Sequence, residues 1–286
     1  MAISTSLVLI TGGTGFIGSQ VVLDALKAGH RVRLTIRREA QVDEVKSRFA
    51  SYATQLETAL TPDLSSIDAI RSALGDDVEY VIHIASPMPG KGDDFKTDYL
   101  HPAVKGTEAI LEAAATALAV KRVVIMSSLL GLMPLGAMRI PGIEVKAGAN
   151  KSIPIDPDMP FPSGPAGHGM KYSASKVLAH RATLDWVSTH KPHFSLITIH
   201  PSLVLGHDMT QTGTTAGGSN AFLTNSLATP PPSGPIVPSS FVDVRDVSLV
   251  TLRSLDVSVP FNNDEVREYL VTGKPTTWDA IIAFVK

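Results

Sequence analysis

The stretch that most constrains this chain is TGGTGFIG (11–18), set between the apolar run SLVLI and FIGSQVVLDALKAGH (16–30). An apolar run ending in glycines reads as a buried strand. The apolar spacing after it, which stops at Gly29, reads as a helix with a glycine C-cap. A strand that turns on glycines into a helix leaves the first helical N–H groups facing outward, where they and the helix dipole favour an anion. Gly13, Gly15 and Gly18 fit G-x-G-x-x-G, while Gly12, Gly15 and Gly18 fit G-x-x-G-x-x-G. Either spacing permits the tight turn and the close approach of backbone amides that a dinucleotide pyrophosphate requires. Gly12, Gly15, Phe16, Ile17 and Gly18 are therefore expected cofactor contacts.

The alternation continues. RVRLTIR (31–37), QLETAL (55–60), VEYVIHIAS (78–86) and RVVIMSS (122–128) read as strands. AQVDEVKSRFAS, SSIDAIRSAL (65–74) and TDYLHPAVKGTEAILEAAATAL (97–118) read as helices between them. This order predicts an α/β fold, a doubly wound parallel sheet with helices on both faces. An NAD site usually carries Asp or Glu at the end of the second strand, about 20 residues past the glycines. Arg37 and Arg38 stand there instead. A guanidinium binds a 2′-phosphate through charge-assisted hydrogen bonds, so the expected cofactor is NADP(H).

Regularity stops over 129–168, which is rich in Gly, Pro and Met, and returns with a helix over 169–191 and the strand HFSLITIH (193–200). No Asp, Glu, Lys or Arg lies between Asp208 and Asp243. That stretch, with SLATPPPSGPIVP (226–238) inside it, reads either as disordered or as a lid over an apolar substrate. FVDVRDVSLVTLRSL (241–255) returns to a strand edge and a helix, EYLVTG (268–273) reads as a last strand, and TTWDAIIAFV as a short helix. The expected division is a dinucleotide-binding domain over 1–200, rejoined by 241–256, and a small substrate-binding part from 201–240 and 257–286.

Composition removes several function classes. A net charge of −2 gives no electrostatic case for nucleic acid or an anionic membrane. With no cysteine there is no disulfide, Cys metal site or Cys nucleophile, which fits a cytoplasmic protein. No basic residue precedes the first apolar run, so a cleaved signal peptide is not expected. The longest uncharged apolar stretch, VVIMSSLLGLMPLGAM (123–138), is too short and too broken to span a membrane. HKPH (190–193) crosses a helix end without a carboxylate beside it, so no metal is expected. No G-x-S-x-G elbow is present, against a serine hydrolase. His83 reads as a strand residue packed near the sheet end, and His168 as loop surface or a substrate contact.

GMKYSASKVLAH (169–180) places Tyr172 and Lys176 one turn apart on one helix face. By itself the pair reads first as a solvated helix face, and only second as a proton donor beside the cation that tunes it.

Taken in order, TGGTGFIG, RLTIRR, DL (63–64), VIHIASP (81–87), AVKGTEAILEAA (103–114), VVIMSS (123–128), YSASK (172–176), HPSLVLG (200–206) and FVDVRDV (241–247) cover most of residues 6–256. In this arrangement the chain resembles an extended short-chain dehydrogenase/reductase. Within that superfamily it is similar to the dihydroflavonol reductase, cinnamoyl-CoA reductase and fungal aldehyde/ketone reductase branch. The resemblance implies a Rossmann fold and transfer of hydride from NADPH to an aldehyde or ketone. It makes Tyr172 the proton donor to the carbonyl oxygen. It makes Lys176 the cation that lowers the phenol pKa and binds the nicotinamide ribose, and Ser128, rather than the adjacent Ser127, the hydrogen-bond donor to the substrate oxygen. It places Asp63 and Leu64 by the adenine, Ala85 and Ser86 along the cofactor, and Pro201 to Val204, including Leu203, beside the nicotinamide.

The chain departs from its relatives in places. Many carry Asn where Ala103 stands, and that Asn often holds a water in a proton relay. The end at AFVK is early for the group, so a small, open substrate part is expected. The expected partner is a small, uncharged, apolar carbonyl compound, and the chain is expected to be a monomer or homodimer. The alternatives are an NAD-dependent sugar-nucleotide epimerase or dehydratase and a non-catalytic NADP-sensing regulator.

Overall fold

The computed structural model describes residues 5–90, 92–140, 142–228, 240–256 and 265–285. Strands β1 (Leu7–Thr11), β2 (Arg31–Ile36), β3 (Leu56–Leu60), β4 (Tyr80–His83), β5 (Arg122–Met126) and β6 (Ser195–Pro201) enter one parallel sheet. The helices between them are α1 (Phe16–Lys27), α2 (Gln41–Arg48), α3 (Ile67–Leu74), α4 (His101–Thr116) and α5 (Gly164–His190). The short strands β7 (Leu203–Leu205) and β8 (Phe241–Asp243) pair with each other, α6 (Gly218–Ala228) lies between them, and α7 (Val244–Arg253) follows. The chain closes with β9 (Val266–Val271) and α8 (Trp278–Val285).

Sheet order is β3-β2-β1-β4-β5-β6-β9, so the winding reverses between β1 and β4. The central strands are covered on both faces and read as nearly unbroken apolar runs, LVLIT and RVVIM, as parallel strands do. Alternate residues of β1 serve opposite layers. Val8 and Ile10 pack with Val21, Val22 and Leu26 of α1 and with Val244 and Val247 of α7. Leu7 and Leu9 pack with α3, with Ile110 and Leu111 of α4, and with Trp186 of α5. Full burial of one such side chain contributes about 1.5–3 kcal/mol, so the two layers fix the sheet and with it the crevice above the strand ends. The edge strand β3, LETAL, is only half covered.

Several elements differ from expectation. The helix expected over 169–191 begins earlier, at Gly164. Pro165 sits in its first turn, where a missing N–H costs nothing. Gly167 has no room for a side chain, because a Cβ would lie 1.6 Å from Pro162 O. The helix expected over 97–118 is divided into a π turn over Lys96–Leu100 and α4. Within the segment expected to belong to the substrate-binding part, β9 extends the main sheet beside β6. Residues 201–228 and 241–256 connect through the β7–β8 pair, and Ser219 Oγ and Asn220 Nδ2 of α6 bond to Val204 O and Gly206 O. The uncharged segment therefore includes an anchored helix, while 229–239 lies outside the described residues. Among the described residues no helix is long and apolar enough to cross a membrane.

Candidate active site

The crevice lies over the carboxyl ends of β1, β4, β5 and β6, where doubly wound sheets bind ligands. At its floor is the β1–α1 turn. Gly12 has φ +74°, and a Cβ there would lie 2.5 Å from Ala85 N. At Gly18 a Cβ would lie 2.1 Å from Gly12 O. Gly15 N donates to Gly12 O at 3.1 Å, and Gly15 is the N-cap of α1 with no side chain to fill its N–H groups. Gly13 serves packing instead, since its Cβ would meet Leu34 Cδ1 at 2.4 Å. Of the two spacings open in the sequence, Gly12, Gly15 and Gly18 line the turn itself. The cradle fits a pyrophosphate because backbone amides, unobstructed by Cβ atoms, face it. Phe16 and Ile17 pack half-buried at the start of α1.

Arg37 and Arg38 follow β2 and are exposed. Their N–H groups donate to Gln41 Oε1 at 3.0 and 3.2 Å, which fixes the backbone of the turn. Among the described residues neither guanidinium has an ion-pair or hydrogen-bond partner, so both can meet a phosphate. Asp63 accepts from Ser65 N and Ser65 Oγ, and these bonds hold its carboxyl below the usual range. It shapes the turn after β3, with Leu64 half-buried beside it. Ala85 and Ser86 continue β4, next to Gly12. Pro201 ends β6, and Leu203 and Val204 belong to β7.

Tyr172 and Lys176 lie on α5, above β5. Lys176 is buried, with Nζ 5.5 Å from the centre of the Tyr172 ring. Burial pushes the Tyr172 phenol up to about 12 and the Lys176 amine down to about 8. The expectation that Lys176 lowers the phenol is thus corrected within the chain's own atoms. Loss of hydration disfavours phenolate more than one neighbouring cation favours it. Phe95, Leu135, Ile155 and Phe161 form an apolar wall against Tyr172. His168, open in the sequence, bonds through Nδ1 to Tyr99 Oη at 3.0 Å and so braces this wall. His83 is a buried strand residue with Nδ1 2.7 Å from Thr11 Oγ1, and burial pushes it down to about 4.

The two candidate serines part at the end of β5. Ser127 lines a small cavity with Lys176. Ser128 is extended, accepts from Leu130 N at 3.2 Å and keeps its O–H to donate.

Sequence reasoning did not find a buried polar cluster beneath this site. His180 Nε2 is 2.9 Å from Glu268 Oε1, and the side chains are 1% and 5% exposed. His200 stacks edge-on to His180 at 4.6 Å. The ligating atoms of His180, His200 and Glu268 lie within 4.8 Å of one another. Both nitrogens of His200 are engaged, however, with Nδ1 donating to Ser128 O and Nε2 accepting from Thr198 Oγ1. Burial holds its imidazole neutral, pushed down to about 3. The arrangement is a hydrogen-bonded network rather than a set of open ligands. Its only sequence signal is the placement of His180 one turn beyond Lys176.

Comparison with known proteins agrees with this geometry. Residues 8–257 match the NAD dependent epimerase/dehydratase family. A ketoreductase, sphI, of Aspergillus fumigatus is 35% identical over 96% of this chain and 81% of its own length. Aldehyde reductase 2 of Sporidiobolus salmonicolor is 30% identical over 97% of this chain and 80% of its own. Among solved structures, yeast methylglyoxal/isovaleraldehyde reductase Gre2 complexed with NADPH superposes with a TM-score of 0.76 at 22% identity, covering 93% of this chain and 78% of that one. At that identity the likeness is one of fold.

Proposed function

The chain belongs to the NAD dependent epimerase/dehydratase family, an extended short-chain dehydrogenase/reductase family, and from that premise we propose that it is an NADPH-dependent reductase of aldehydes or ketones. The observation that carries the reading is the meeting of a side-chain-free glycine turn with a half-buried Tyr172 and a buried Lys176 at the same end of the sheet. The ketoreductase and aldehyde reductase relatives support the same chemistry. NADPH, when bound, supplies the hydride.

The chain's own residues then have distinct tasks. The Gly12–Gly18 turn and the α1 N-terminus hold the pyrophosphate. Arg37 and Arg38 bind the 2′-phosphate. Asp63 and Leu64 border the adenine, and Ala85, Ser86, Pro201, Leu203 and Val204 line the path to the nicotinamide. Ser128 donates to the substrate oxygen and stabilises the charge that gathers there. Tyr172 stays protonated at neutral pH because burial pushes it up to about 12. It gives that proton to an alkoxide far more basic than phenolate. Lys176 would bind the nicotinamide ribose, and its Nζ stands 5.5 Å from the centre of the Tyr172 ring. The Phe95, Leu135, Ile155 and Phe161 wall excludes water and favours an uncharged, apolar substrate.

The test follows cofactor absorbance with NADPH and NADH in parallel. The substrates are aryl aldehydes, α-keto esters, diketones and flavanone-type ketones. Turnover with NADPH, weak turnover with NADH, and a fall of about 10²–10⁴-fold in Tyr172→Phe, the usual worth of an acid catalyst, are expected. Purified protein that retains NAD and turns over no carbonyl would support the sugar-nucleotide epimerase or dehydratase instead. Unchanged turnover in Tyr172→Phe would remove the mechanism.

A further inference from the structure

The segment after β4 runs from the glycine turn to the Tyr172 side of the crevice. At its start, a Cβ on Gly12 would lie 2.5 Å from Ala85 N. At its end, Phe95 packs on Phe161 with ring centres 4.5 Å apart, in the apolar cluster that touches Tyr172. Residues 86–90 and 92–94 therefore border the space where a carbonyl must sit to meet both the nicotinamide and Tyr172. Met88 is among them, 48% exposed, and offers apolar surface there. None of these residues belongs to a strand or helix. Their position has to come from other groups.

Tyr99 supplies the main one. Its side chain is fully buried in the π turn Lys96–Leu100, a geometry frequent at functional sites. Three partners converge on its hydroxyl, all outside that turn. Gly90 N donates to Oη at 3.0 Å, Oη donates to Gly92 O at 3.2 Å, and His168 Nδ1 lies 3.0 Å away. A phenol has one hydrogen to give and otherwise accepts. Gly90 N can only donate and Gly92 O can only accept, so His168 presents Nδ1–H to the remaining lone pair. His168 stands on α5 four residues before Tyr172, on the same helix face. Lys171 of the same helix is buried and donates from Nζ to Asp93 O at 2.6 Å. One buried hydroxyl thus ties the segment after β4 to the helix that carries the proton donor. Gly90 is exposed and Gly92 half-buried, so both can turn to water if that hydroxyl is removed. The segment would then be released without loss of the fold.

We propose that Tyr99 is a positioning residue whose hydroxyl fixes the segment after β4 as the wall that selects which face of an unsymmetrical ketone is reduced. The inference rests on the reductase reading above. The carbonyl oxygen is held by Tyr172 and Ser128, and hydride arrives from the cofactor side. The freedom left to the substrate is a half-turn about its C=O axis. That half-turn exchanges the two substituents and presents the opposite face. A wall held at a set distance from Tyr172 admits the smaller substituent and refuses the larger, so the two orientations differ in transition-state energy. A wall that yields admits both. Tyr99 touches neither substrate nor cofactor in this account and acts through residues 86–90 and 92–94.

The experiment reduces an unsymmetrical aryl α-keto ester with NADPH and reads the ratio of the two alcohol enantiomers by chiral chromatography. The proteins are wild type, Tyr99→Phe, His168→Leu, His168→Asn and the double variant Tyr99→Phe/His168→Leu, with NADPH affinity and melting temperature alongside. The ratio does not depend on how much of the protein is active, so partial misfolding leaves it unmoved. Tyr99→Phe keeps the buried ring and should lower the ratio about fivefold, the worth of one neutral hydrogen bond. NADPH affinity should stay within about twofold, because the glycine turn is untouched. His168→Leu should lower the ratio in the same direction. His168→Asn, whose amide N–H stands near the place of Nδ1–H, should restore it. The double variant should fall no further than Tyr99→Phe, since both remove one bond. A hydroxyl that only supports the fold would lower the melting temperature and leave the ratio at its wild-type value. Equal amounts of both alcohols from wild type, a wild-type ratio in Tyr99→Phe, or effects that multiply in the double variant overturn the positioning role. If Tyr99→Phe does not fold, a ratio lost in His168→Leu and kept in His168→Asn supports it, and one ratio in both overturns it. An active wild type whose ratio ignores Tyr99 leaves the reductase standing without this wall. A wild type that reduces no carbonyl removes the reductase reading, and the inference with it.

Discussion

The two walls of the crevice are built on opposite principles. At the β1–α1 wall the working groups are backbone amides, and side chains are kept away by Gly12, Gly15 and Gly18. At the α5 wall the working groups are side chains, the half-buried Tyr172 and the buried Lys176, on the helix that also carries His180 of the His180–Glu268 pair. The first wall is stable and awaits an anion. The second carries a cation that burial disfavours, with its amine pushed down to about 8. One wall therefore loses both fold and binding when altered, while the other exchanges stability for chemistry.

The largest break in this contrast comes from the glycine wall. Gly12→Ala places a Cβ 2.5 Å from Ala85 N at φ +74°. Overpacking against backbone costs about 1–3 kcal/mol, and the left-handed conformation about 1–2 kcal/mol more. NADPH affinity, read by titration, should weaken about 100-fold or more, and the melting temperature should fall with it. A variant that binds NADPH as wild type does would show that the turn is not the cradle.

Lys176→Met sharpens the other side. Between pH 8 and 10.5 the unfolded chain holds the lysine proton and the folded chain does not, so stability from this group rises with pH across that window. Below about pH 8 both states hold the proton and the full burial penalty is present, on the order of 3 kcal/mol. Lys176→Met should raise the melting temperature at pH 7, flatten the alkaline rise in stability and abolish turnover. A variant less stable than wild type at pH 7 would mean that the ammonium is a net structural support. At the outer end of the cradle, replacing Arg37 and Arg38 with Gln should reduce the preference for NADPH over NADH about tenfold, the worth of one charge-assisted hydrogen bond. Unchanged preference would return both to ordinary surface.

The same contrast explains what the sequence reveals. TGGTGFIG is legible because one turn of contiguous residues makes the whole feature, and the apolar strands are legible because each is buried along its length. The start of α5 is not, because Gly164, Pro165, Gly167 and Gly169 read as loop, and only the fit of Gly167 against Pro162 explains them. β9 is half-buried, with Arg267 and Glu268 in its middle, so its place in the sheet follows from pairing with β6 rather than from pattern. That pairing sets Glu268 opposite Thr198 and brings it to His180, 88 residues earlier. No local spacing encodes a contact made through a strand register.

The smallest expected effect divides two adjacent residues. Along an extended segment consecutive side chains point to opposite sides, and Ser128 is extended with φ −160° and ψ 156°. Ser127 takes the cavity with Lys176, leaving Ser128 for the crevice, where its bond to Leu130 N fixes the oxygen and its O–H remains to donate. His200 holds the carbonyl of the same residue. Ser128→Ala should therefore lower kcat about tenfold with little change in NADPH affinity, in the range of a lost donor to developing charge, about 1.5–3 kcal/mol. Ser127→Ala should change kcat by about twofold or less, since it removes one hydroxyl from the cavity wall and leaves the crevice side unaltered. The reverse order would place the substrate oxygen on the Ser127 side, next to the cavity that Ser127 shares with Lys176.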